Sequence, residues 1–96
     1  MPSFRIMLAI GALQPGTDPA TVLPTAAAAA RASTTVEAYD VDVVRGQARI
    51  TVRFTAADDD EADEVARRTH HAVADSAEVP TSALSRRWGA RWYPVR

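Results

Sequence analysis

The C-terminal run Arg86-Arg87-Trp88-Gly89-Ala90-Arg91-Trp92-Tyr93-Pro94-Val95-Arg96 holds both tryptophans of the chain, one of its two tyrosines and four of its eleven arginines. Guanidinium forks and large aromatic faces are the side chains that most often carry energy at binding surfaces. The chemistry implied is recognition rather than bond-making. Three other groupings bear on catalysis or metal binding: the histidine pair His70-His71, the carboxylates Asp40 and Asp42, and the acidic run Asp58-Asp59-Asp60-Glu61 with Asp63-Glu64.

The acidic run does not fit a calcium loop. Ala62 stands where the fifth position needs an oxygen ligand, and Thr69 stands where the bidentate glutamate belongs. Acids in this place instead complement the positive end of a helix that starts here. With Ala62 at the centre of that helix's buried stripe and about 100° of turn per residue, His71 lies opposite the stripe and His70 at its rim. The two rings point apart and do not chelate one ion. His71 and Asp75, four residues apart, can touch as a base and its orienter do, but the sequence places no nucleophile beside them. Asp40 and Asp42 share a strand face, as paired acid–base carboxylates would. Arg49 and Arg53 on the neighbouring strand stand ready to pair with them instead. The glycines do not have the spacing of a phosphate loop. No catalytic residue, metal ligand or cofactor is assigned, and no enzymatic activity is expected.

The elements that position these residues follow from periodicity. Phe4, Ile6, Leu8 and Ile10 alternate with Arg5, Met7 and Ala9, which predicts a strand with one face on a core. Gln14-Pro15-Gly16 ends it. Asp18-Pro19 is a helix-start pair, although Pro24 places the true start either there or at Pro24 itself. The alanine run 26–30 continues that helix. Val36 to Val44 and Ala48 to Thr55 form a hairpin around Arg45-Gly46. A two-residue turn sets Val44 against Gln47, Asp42 against Arg49, Val41 against Ile50, Asp40 against Thr51 and Tyr39 against Val52. A slip by one residue would oppose Asp42 to Ile50. This register sends Tyr39, Val41, Val43, Ile50, Val52 and Phe54 inward. Asp58 and Glu61 make a capping-box variant that opens a second helix, to about Ala77. Its buried stripe is Ala62, Val65, Ala66, Thr69, Val73 and Ser76. From Leu84 to Val95 the chain alternates again and reads as one last strand. Trp88, Ala90 and Trp92 fall on one side of it, and Arg87, Gly89, Arg91 and Tyr93 on the other.

Strand, helix, strand, strand, helix, strand resembles the ferredoxin-like α+β arrangement: βαββαβ, with a four-stranded antiparallel sheet and two helices on one face. The 96 residues are one small domain. The apolar fraction is 47%, but much of it is alanine. The core must therefore lean on Phe4, Ile6, Leu8, Ile10, Tyr39, Val41, Ile50, Val52, Phe54 and the tryptophans, and dimerisation would supplement it. Cysteine, lysine and asparagine are all absent, so there is no disulfide framework and every basic side chain is arginine. Net charge is −1, which gives no overall field towards nucleic acid. No run suits a bilayer and the first residues do not read as a signal peptide, so a cytoplasmic location is expected.

In the strand order 4-1-3-2 expected for this arrangement, the face away from the helices carries Arg5, Arg49, Arg53, Arg87, Arg91 and Tyr93, with Asp40 and Asp42 at one edge. That is five arginines against two aspartates on a chain of net charge −1. The expected function is a non-enzymatic binding or assembly module. It would self-associate, or dock an acidic partner, through this arginine-lined face. RNA or another polyanion on the same face is the alternative. It is weakened because the outward positions of the first and third strands carry no aromatic platform. A small acid–base enzyme using His71, Asp75 or the Asp40/Asp42 pair is the third reading.

Overall fold

The computed structural model describes residues 1–95, so Arg96 lies outside the described residues. The first strand, β1 (Ser3–Ile10), runs along the middle of an antiparallel sheet, between β3 (Gln47–Thr55) and β4 (Ser82–Trp88). β2 (Val36–Val44) flanks β3 at one edge, and β5 (Arg91–Pro94) flanks β4 at the other. The order is β2-β3-β1-β4-β5. Two helices, α1 (Val22–Arg31) and α2 (Asp59–Ala74), complete an α+β domain. The first four strands have the expected neighbours, but the sheet has five strands rather than four.

Phe4, Ile6 and Leu8 of β1 and Ile50, Val52 and Phe54 of β3 form the centre of the core, and α1 and α2 both pack on that face. The helices supply small residues: Ala26 and Ala30 from α1, and Ala62, Val65, Ala66 and Val73 from α2. Small side chains let the backbones approach closely, so alanine-rich packing and a large-residue sheet are complementary. Thr69 is the one buried polar side chain among the described residues, and its hydroxyl donates to the Val65 carbonyl at 2.9 Å.

Pro24 finds a place without cost. Asp18 accepts from the Ala20 amide at 3.0 Å and caps a short 3-10 turn, Pro19–Thr21, and α1 then begins at Val22. Pro24 is its third residue, where a backbone N–H would have no helical partner. Asp58 caps α2 by accepting from the Glu61 amide at 2.9 Å. The hairpin register is the one expected, pair for pair, from Val44–Gln47 to Tyr39–Val52. A bulge between Val36 and Ala38 is additional. Arg45 (φ 55) and Gly46 (φ 78) are both left-handed, the combination of a type I′ turn. Asparagine enters that region more readily than arginine, so Arg45→Asn should stabilise the domain by up to about 1 kcal/mol. The check is a higher urea midpoint with an unchanged m value.

Two expectations about burial fail. Tyr39, Val41 and Val43 do point to the helix-bearing face, but they are 43, 54 and 64% exposed. β2 is an edge strand, and alternation shows which face a residue takes without showing whether a helix reaches far enough to cover it. The tryptophans are not a core ridge either. The single strand expected from Leu84 to Val95 breaks at Gly89 (φ 61), where Gly89-Ala90 turns the chain into the β4–β5 hairpin.

Candidate functional site

The hairpin at Gly89 decides which aromatic and basic groups share a surface. Its register pairs Arg87 with Trp92, and Trp88 with Arg91. Directly paired residues of an antiparallel ladder point to the same side. Trp92 and Arg87 therefore stand on the open face of the sheet, away from the helices. Trp88, Arg91 and Tyr93 stand on the helix-bearing side. This corrects the expected surface: Arg5, Arg49, Arg53 and Arg87 share the open face, whereas Arg91 and Tyr93 do not.

Trp92 takes the place intended for Tyr93. The Arg5 guanidinium lies 4.6 Å from the centroid of the Trp92 ring, and that of Arg53 lies 5.8 Å away. Both distances are within the range of cation–π attraction. The indole thus reaches inward from the short edge strand to the middle of the sheet. Behind it, Arg53 Nε lies 3.5 Å from Glu37 Oε1, and the same oxygen accepts from the Ser3 hydroxyl at 2.7 Å. Glu37 sits at the β2 bulge, so that irregularity supplies the acid for Arg53.

The expected cross-strand ion pairs do not form. Asp42 is opposite Arg49, but its carboxylate accepts from the Val43 amide at 2.8 Å instead. Among the described residues, neither Arg5 nor Arg49 has a carboxylate within salt-bridge distance, and the buried Arg49 Nε has no hydrogen-bond partner. Arg87 turns back and donates from Nε to the Gly89 carbonyl at 2.8 Å. A shallow hollow of about 300 Å³ lies between Arg5 and Arg49, floored by Met7 and Thr51 and bounded by Ser85 and Asp42. A second, of about 210 Å³, lies between Trp92, Arg53 and Asp40. Unpaired guanidinium and hydroxyl donors round an open hollow suit an anion.

Three acids of α2 are occupied on the other side of the molecule. Asp63 and Glu64 hold Arg67 at 3.4 and 2.7 Å, and Glu64 holds Arg68 at 3.2 Å. Asp59 in the first turn of α2 holds Arg86 at 2.8 Å. Arg86 stacks on Trp88, 4.1 Å from its ring centroid, and so ties the last hairpin to α2. The signal for this pair was present in the sequence: Arg86 has the parity of Leu84, which faces the core.

His70 and Ser82 are an unforeseen pair, with Nδ1 and Oγ 3.2 Å apart. They border a cleft of about 590 Å³ between α2 and β4, with Arg67 and His71 at its rim. The pair lacks the third group that a nucleophile needs, an acceptor orienting the other ring nitrogen, among the described hydrogen bonds. His71 and Asp75 make no hydrogen bond or ion pair with each other. No group of three or more histidine and carboxylate side chains is placed to hold a metal ion among the described residues. Nor is any described helix long and apolar enough to cross a membrane. Comparison of the chain with protein-family models, curated proteins and solved structures finds no match.

Proposed function

We propose that this chain is a non-enzymatic binding module of ferredoxin-like type whose open sheet face docks an acidic partner surface. Arg5, Arg49, Arg53 and Trp92 form the contact and Arg87 lies at its margin. The observation that carries the reading is the imbalance on this face: Arg5 and Arg49 flank a hollow with no ion-pair partner among the described residues, while Asp59, Asp63 and Glu64 of α2 are held by Arg86, Arg67 and Arg68. A carboxylate entering the hollow gains guanidinium donors from Arg5 and Arg49, which no carboxylate holds among the described residues. A second copy laid symmetrically on the same face would set like charges together, which favours a foreign acidic surface over self-association.

Trp92 favours a second reading. It supplies the aromatic group that a single-stranded nucleic acid would stack on, close to three arginines. Fluorescence anisotropy at low salt with a glutamate-rich peptide and a mixed-sequence oligonucleotide separates the two. Binding of the peptide, weakened about tenfold or more by Arg5→Ala with Arg49→Ala, supports the docking reading. Binding of the oligonucleotide alone, with a salt slope that falls by about 0.7 for each arginine removed, replaces it with the second. Retention of neither ligand refutes both.

A further inference from the structure

The opposite edge of the sheet has a different chemistry. β2 is nine residues long and, among the described residues, pairs only with β3, so one side of its backbone is unmatched there. Which groups are unmatched follows from the turn. A two-residue hairpin closes on Val44 and Gln47, so Val44, Asp42 and Asp40 exchange hydrogen bonds with β3. Tyr39, Val41 and Val43 therefore direct their N–H and C=O groups away from the sheet. The Asp42 carboxylate reaching the Val43 amide fits this geometry, because it covers an amide that β3 does not use.

The same three residues also have exposed apolar side chains on the helix-bearing side. Next to them an apolar groove of about 540 Å³ runs between the start of α1 and the hairpin, lined by Leu13, Val22, Leu23, Pro24, Val41 and Ile50 among others. On the other side of the strand stand Asp40 and Asp42, neither of them in a salt bridge among the described residues. One edge thus combines the unmatched backbone groups of Tyr39 and Val41 and the Val43 carbonyl, the Val43 amide being covered by Asp42, with an apolar groove on one side and two carboxylates on the other.

We propose that β2 takes up one extended segment of another protein, in which apolar residues alternate with basic ones. Its main chain pairs with Tyr39, Val41 and Val43. Its apolar side chains face the groove, and its basic side chains lie beside Asp40 and Asp42. A second copy of this chain fits less well. Pairing β2 with itself about Val41 would set Asp40 of each copy against Asp42 of the other, an arrangement that like charges oppose. This site meets the arginine face at Asp40 and Asp42 but takes its main-chain and apolar contacts from the β2 edge and the groove, and its failure would leave that reading untouched.

The test uses the whole protein, ¹⁵N-labelled, with two peptides as long as β2: one alternating valine and arginine, the other valine and glutamate. The valine–arginine peptide should shift the amide signals of Tyr39, Val41 and Val43 and bind there at least about tenfold more tightly than its acidic counterpart. Asp40→Arg combined with Asp42→Arg should invert that preference at the same amides. Val41→Pro, which removes an edge N–H where proline is tolerated, should abolish the shifts. Shifts at β2 that do not depend on the sign of the peptide's charge overturn the proposal. So do shifts confined to other surfaces, or concentration-dependent β2 shifts of the protein alone, which would make the occupant a second copy.

Discussion

Phe54→Ala should remove about 3–5 kcal/mol of stability, the range for truncating a fully buried phenylalanine. A domain of this size has roughly 5–15 kcal/mol in all, so the variant should sit at the edge of unfolding at room temperature. Phe54 is completely buried and stacks on Phe4, its direct partner across β1 and β3, with ring centroids 6.0 Å apart and an interplanar angle of 21°. The neighbours from α1 and α2 are largely alanines, which have no length with which to fill the space left behind. Tyr39→Ala is the contrast. It removes an aromatic side chain from the same side of the sheet, but one that is 43% exposed, with Arg31 4.9 Å from its ring centroid, and should cost about 1–2 kcal/mol. Urea unfolding of the two variants, followed by far-UV circular dichroism, checks the difference. Equal losses would mean that Tyr39 is covered in solution.

Gly89→Val should open the C-terminal hairpin while leaving the rest of the domain folded. A β-branched residue at φ 61 costs about 1–3 kcal/mol. That penalty falls on a four-residue strand paired only with β4. With Trp88→Phe in the background, Trp92 is the sole indole, and its release from Arg5 and Arg53 should appear as a red shift in emission. Gly89→Asn, which tolerates the left-handed region, should shift the emission much less. Unchanged emission in the valine variant would show that the turn does not depend on glycine. The same variant should weaken ligands of the arginine face, because Trp92 leaves it.

Some of this was legible in the residues and some was not. The β2–β3 register could be read because a two-residue turn keeps every pair consistent, and a slip of one residue either way puts a carboxylate against isoleucine or valine. The stripe on α2 was equally plain, since Ala62, Val65, Ala66, Thr69 and Val73 are the residues the helix buries, although Ser76, expected on it, lies beyond the helix end at Ala74. Gly89 was the difficult position. A lone glycine between Trp88 and Ala90 lacks the Asn-Gly signature of a tight hairpin, so alternation carried straight through it. The turn reverses the parity of everything beyond, which is why Arg91, Trp92 and Tyr93 each changed sides. The groove beside Val41 was hidden for another reason. Periodicity assigned Tyr39, Val41 and Val43 to the helix side, but the reach of α1 across the sheet depends on tertiary packing. The arginines of the open face were visible individually. That Arg5 and Arg49 lack ion-pair partners became apparent only when Asp42 was found turned to its neighbour's amide and Asp59, Asp63 and Glu64 of α2 to Arg86, Arg67 and Arg68.

The sheet ends in nine residues of β2 on one side and in the four residues of β5, closing with Pro94, on the other. Proline has no amide hydrogen and a strand this short templates poorly. A chain added at β2 would therefore meet no matching long edge across the molecule, and the expected product is a capped one-to-one adduct. β5 acts as a terminator. Without it, β4 would become a second long edge, and copies could stack edge to edge without limit.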